Sequence, residues 1–133
     1  MQPSMTKALE DYIEAIHVLI IEKGAAHVRD VAESLGVKKP SVVKALFELK
    51  RLGLVEQEPY GEIKLTPSGR RSAKSVYDRH KLLKGFLEGL GVSTANAESD
   101  ACLMEHVLSR ETLDRIRDYV SGKGHGGKQH LPI

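Results

Sequence analysis

With 133 residues, 41% hydrophobic and 29% charged, the chain has the balance of an ordinary globular protein, one domain or two small ones. A net charge of +2 is too small to argue for nucleic acid by itself, and a single cysteine excludes an internal disulfide. No apolar run approaches the roughly 20 residues of a membrane span. The opening "MQPSMTKALEDY" lacks the basic and apolar regions of a signal peptide, so a cytoplasmic protein without membrane contact is expected.

In chain order, residues 6 to 23 carry Leu9, Tyr12, Ile13, Ile16, Leu19 and Ile20 at helical spacing, closed by Gly24. A short helix, "VRDVAESL", stops at Gly36, where a residue tolerating positive φ is wanted. Pro40 suits the first turn of a third helix, whose apolar positions are Val42, Val43, Leu46, Leu49 and Leu52 and which ends at Gly53. Two short helices around a glycine turn predict a helix-turn-helix. Directly after it, Leu54 to Gln57 and Glu62 to Leu65 read as strands joined by a Pro-Tyr-Gly turn, which makes the motif winged. Helices are expected over Pro67 to Gly89, Ala95 to Leu108 and Arg110 to Val120. The glycine-rich end, with His125 and His130, has no periodicity and predicts a flexible tail over residues 123–133.

Charge is concentrated in "VKKPSVVKALFELKRL", where Lys38, Lys39, Lys44, Lys50 and Arg51 face the single acid Glu48. If the apolar side of the third helix packs inward, Lys38, Lys39, Ser41 and Lys44 lie near its exposed N-terminal end, the part of a recognition helix that enters the major groove. Lysines there suit phosphates or guanine edges, and Pro40 suits a thymine methyl. Arg29, Tyr60 and Lys64 are the natural backbone clamps on either side.

The lone cysteine stands in "DACLMEHVLS", three and four residues ahead of Glu105 and His106. On a helix over Ala95 to Leu108, Leu103, Met104, Val107 and Leu108 share one face, and Glu98, Cys102, Glu105 and His106 occupy the other. Such a triplet is either core filler with a polar edge or one helix presenting sulfur, oxygen and nitrogen donors. Mixed donors of that kind suit a borderline transition metal better than calcium or magnesium. Asp11 and Glu14, one turn apart on the first helix, are either a solvated acidic face or, flanked by Val18 and Ile21, a covered one. His80 projects beside Val76, Leu83 and Leu87 as a core histidine or a ligand.

Taken in order, "EDYIEAI", "VAESLGVKKPSVVKAL", "GLVEQEPYGEIKLTPSG", "DRHKLLKGFL" and "DACLMEHVLS" resemble the diphtheria toxin repressor and manganese transport regulator family, from about Leu9 to Arg117. The resemblance implies a mostly α protein: a winged helix-turn-helix DNA-binding domain over residues 1–72, then a helical metal-binding and dimerisation domain over 73–122. It implies a homodimer that binds palindromic double-stranded operator DNA with Fe²⁺ or Mn²⁺ as corepressor, Co²⁺, Ni²⁺ or Zn²⁺ substituting in vitro, and that represses metal-uptake genes rather than acting as an enzyme. Motif by motif, Asp11, Glu14, His80, Cys102, Glu105 and His106 fall on ligand positions, with Glu98 a further candidate. Asp11 with Glu14 follows the manganese-type pattern and Cys102 the iron-type. Lys84 stands where the iron branch places a glutamate of its ancillary site. A metal-independent winged-helix regulator that senses an oxidant or small molecule through Cys102 is the alternative.

Overall fold

The computed structural model describes residues 5–59 and 61–122. Among them six helices and one two-stranded sheet fall into two compact units that divide between Tyr77 and Asp78. The expected Tyr60 clamp and the tail with His125 and His130 lie outside the described residues.

In the first unit, α1 (Lys7–Lys23) starts where the Thr6 hydroxyl accepts from the Leu9 amide at 3.1 Å and ends at left-handed Gly24. The helix α2 (Val28–Leu35) opens on a reciprocal cap in which the Asp30 carboxylate accepts from the His27 amide at 3.2 Å. It closes at Gly36, whose φ of 67° lets the chain turn within two residues into α3 (Lys39–Arg51). Pro40 fits the first turn of α3, where its missing amide costs nothing.

The strands β1 (Val55–Gln57) and β2 (Ile63–Leu65) pair antiparallel, Val55 opposite Leu65 and Gln57 opposite Ile63. The Ile63 amide also donates to the Ala26 carbonyl at 2.7 Å, which fastens the wing to the segment ahead of α2. Ile13, Ile16, Leu19, Val31, Val42, Leu46, Leu49, Leu54 and Ile63 form one core. Each such aliphatic side chain contributes about 1.5–3 kcal/mol by leaving water. One expected core residue is absent from it: Val43 is 55% exposed. Val42, Ala45, Leu46 and Leu49 already fill the inward stripe of α3, and Val43 lies about 100° away from Val42 around the helix.

The long helix α4 (Pro67–Gly89) begins in the first unit with a tight joint. The Thr66 hydroxyl donates to the Gly53 carbonyl at 2.7 Å and accepts from the Gly69 amide at 2.9 Å. Gly69 is buried so close to the chain at Leu54 that a Cβ there would stand 1.8 Å from the Leu54 carbonyl oxygen.

The second unit holds the rest of α4 with α5 (Thr94–Met104) and α6 (Arg110–Ser121). Serines cap both shorter helices: Ser93 accepts from the Asn96 amide and Ser109 from the Thr112 amide. Leu83, Ala101 and Leu113 form the centre of its core, with Met104, Leu108 and Ile116 packed around. The expected helix through Leu108 stops instead at Met104. Glu105 is its C-cap, and Glu105, His106 and Val107 form a turn. The predicted faces are corrected with it, because Leu103 and Val107 are 57% and 75% exposed while Glu105 is buried at 2%.

Candidate nucleic-acid interface and metal centre

The exposed end of α3 is assembled from the sequence motif as expected. Lys38 is the N-cap, and Lys39, Pro40, Ser41 and Lys44 are all exposed. Lys50 and Arg51 extend the basic surface into the last turn, where Arg51 Nε donates to Glu48 Oε2 at 2.9 Å and holds that carboxyl below its usual range. Arg29 is exposed in the first turn of α2, and Lys64 is exposed on β2 with Glu62 at 4.0 Å. The start of α2, the middle of α3 and the wing share a cleft of about 350 Å³ lined by His27, Val28, Arg29, Val43, Gln57 and Gly61. Arg29 lines that cleft, and the exposed cations of α3 and Lys64 of the wing lie on the elements that form it, a distribution suited to a polyanion.

On α1, Asp11 and Glu14 are both partly buried, and the Lys7 ammonium donates to Asp11 at 3.2 Å.

In the second unit a carboxylate and imidazole cluster centres on His80 of α4. Its Nδ1 lies 2.8 Å from Glu105 Oε1 and its Nε2 lies 2.9 Å from Glu98 Oε2. With an oxygen against each nitrogen, the ring is satisfied only as an imidazolium that donates twice. The Glu105 bond, then the Glu98 bond, overcome the opposing effect of burial and raise the His80 pKa from 6.5 to about 9. Lys84 Nζ stands 3.7 Å from Glu98 Oε1 and adds a second cation that the sequence had offered only as a departure from a motif. The His106 side chain is 2% exposed, with Nε2 at 3.4 Å from Glu105 Oε2.

That oxygen, Glu105 Oε2, is buried and takes no hydrogen bond among the described residues. An anionic oxygen out of water and unbonded is costly. A divalent ion between it and His106 Nε2, 3.4 Å away, would satisfy it, so the donor set fits such an ion. Cys102 is brought less close: it is partly buried on α5, and among the described residues no trio of donor atoms within 4.8 Å of one another includes its Sγ.

A winged helix-turn-helix followed by a helical unit with a buried carboxylate and imidazole cluster defines a metal-responsive DNA-binding regulator. The chain belongs to the iron-dependent repressor family: residues 4–63 match its N-terminal DNA-binding domain and residues 66–124 its metal-binding and dimerisation domain. It is thus a metal-dependent transcriptional repressor of the group that the sequence resembles. The HTH-type transcriptional regulator MntR of Geobacillus kaustophilus (strain HTA426) is 44% identical over 115 residues, 86% of this chain and 82% of that one. The transcriptional regulator MntR of Salmonella typhimurium is 41% identical over 116 residues, 87% of this chain and 74% of that one.

Among solved structures, IdeR of T. acidophilum superposes with a TM-score of 0.76 at 30% identity over 90% of this chain. A manganese-dependent transcriptional repressor in complex with manganese gives 0.77 at 30% identity over 86% of this chain. The chain spans 55% and 53% of those two solved proteins.

Proposed function

We propose that this chain represses metal-uptake and homeostasis genes as a cytoplasmic homodimer on palindromic operator DNA, with Fe²⁺ or Mn²⁺ as corepressor. The buried, unbonded Glu105 Oε2 beside His80 and His106 carries the reading. His80, Cys102, Glu105 and His106 are the ligands from the second unit, with Glu98 in reserve, and Asp11 and Glu14 are those from α1. The bound ion supplies the positive charge that lets this many anionic donors be held together. Without it, the His80 proton offsets only one of the two carboxylates it bridges, Lys84 Nζ stands 3.7 Å from Glu98, and no positive charge is left over for further anionic donors. Ligands drawn from both units make metal loading favour one conformation of the chain, and only such a preference shifts a population.

In a dimer so fixed, the two α3 helices meet successive major-groove faces, about 34 Å apart or a multiple of it. Leu90, Leu103, Val107 and Val120, all exposed in the second unit, support a dimer. All proposed ligands serve binding, and no role in turnover is assigned to them.

Anaerobic titration of the full chain with Fe²⁺ and Mn²⁺, followed at each step by operator binding at fixed salt, tests this. DNA affinity is expected to rise with metal and to lose that rise in Glu105→Gln. The same titration with Co²⁺ is expected to show a thiolate-to-metal absorption band that Cys102→Ala removes. Operator affinity unchanged by a chelator would overturn the reading in favour of a metal-independent regulator.

A further inference from the structure

Two large apolar side chains of α3 stand in solvent: Phe47 is 69% exposed and Val43 55%. Neither belongs to the core cluster. At about 100° per residue they lie on one stripe with Pro40. Lys39 and Lys50 border that stripe on one side, Lys44 and Arg51 on the other, and all four are exposed. An apolar strip between two cationic rows has a specific complement. In a major groove, a phosphate backbone runs along each wall and the apolar group on the floor is the thymine C5-methyl. A second protein surface would need two acidic rows around an apolar ridge, a requirement that duplex DNA meets by its covalent structure.

We propose that Val43 and Phe47 determine operator specificity by packing on thymine methyl groups while the flanking cations take the two phosphate walls. Four residues rise about 6 Å along a helix, close to two base-pair steps of about 3.4 Å each. Each half-site therefore contains a pair of thymines about two steps apart, read by Val43 at the cleft it shares with Arg29 and Gln57 and by Phe47 one turn further along. The inference rests on the DNA-binding function and adds what is read.

The test uses a duplex selected from a random library by the metal-loaded full chain, remade with uracil at each selected thymine in turn. Uracil keeps the hydrogen-bonding edge and removes only the methyl. Wild-type affinity is expected to fall about fourfold for each methyl that Val43 or Phe47 covers. Val43→Ser combined with Phe47→Gln, both at exposed positions, is expected to lose that sensitivity at the pair of thymines two steps apart and to keep it at a thymine that Pro40 covers. Wild-type binding that is indifferent to every uracil overturns the proposal, and so does uracil sensitivity at that pair of thymines that survives in the double variant. A change in oligomeric state in Phe47→Gln with unaltered uracil sensitivity assigns the strip to a protein contact and overturns it as well. Failure of the wild type to select any duplex would instead count against the DNA-binding function itself.

Discussion

His80 holds two carboxylates by keeping a proton that a histidine in water would have shed at neutral pH. Its pKa is raised from 6.5 to about 9, so the folded state binds that proton more tightly than the unfolded chain does. The resulting stabilisation is full below pH 6.5 and is lost as pH rises through about 9. Metal-free protein is therefore expected to become easier to unfold with urea across that window. Replacing one partner, in Glu98→Gln, is expected to move the His80 titration downward, measurable by proton NMR of the ring. A histidine whose midpoint stays put in that variant would show that Glu98 does not contribute. The same proton competes with metal, because a ring nitrogen must be free of its proton before it can donate to an ion. Alkaline conditions that weaken the metal-free fold are those that favour loading.

At the scale of elements, the sharpest constraint is the joint between Leu54 and the start of α4. A side chain at Gly69 meets a backbone carbonyl, which cannot rotate away. Gly69→Ala is expected to cost ~1–3 kcal/mol or more of stability, read as a lower urea midpoint. An unchanged midpoint would mean that α4 is free to shift. The joint was partly legible in "LTPSG", whose Thr, Pro and Gly suit a helix start, although nothing local in the sequence shows what Gly69 touches. The helix-turn-helix was legible nearly residue by residue, because glycine and proline punctuate each boundary: α2 occupies the expected "VRDVAESL".

The end of α5 was not legible. Nothing in "DACLMEHVLS" breaks a helix before Ser109, so the periodicity runs on past Met104. The partners found there, His80 Nδ1 against Glu105 and His106 beside it, come from residues far apart in sequence or from a turn. Val43 escaped for a related reason, and Phe47 has no place in the sequence reading. An apolar residue on an amphipathic helix reads as core, and only the packed neighbours of α3 show that the inward stripe was already full.

At the scale of the whole molecule, a net charge of +2 conceals a strong local asymmetry, the two rows of cations along α3. Every phosphate they neutralise releases condensed counterions, so the logarithm of DNA affinity falls by about 0.9 per contact for each decade of salt. In the proposed function metal and DNA binding favour the same state of the chain, and such coupling is reciprocal: whatever loosens the grip on DNA also loosens the grip on metal in the complex. The metal concentration that half-saturates the protein is therefore expected to rise with potassium chloride when operator is present, more steeply than without it. Parallel salt dependences in the two titrations would break the linkage. The cationic borders of one short helix thus give a metal sensor an osmotic input. With the proposed function, a cell that concentrates potassium after water loss is expected to release the repressed genes at a metal level that had kept them silent.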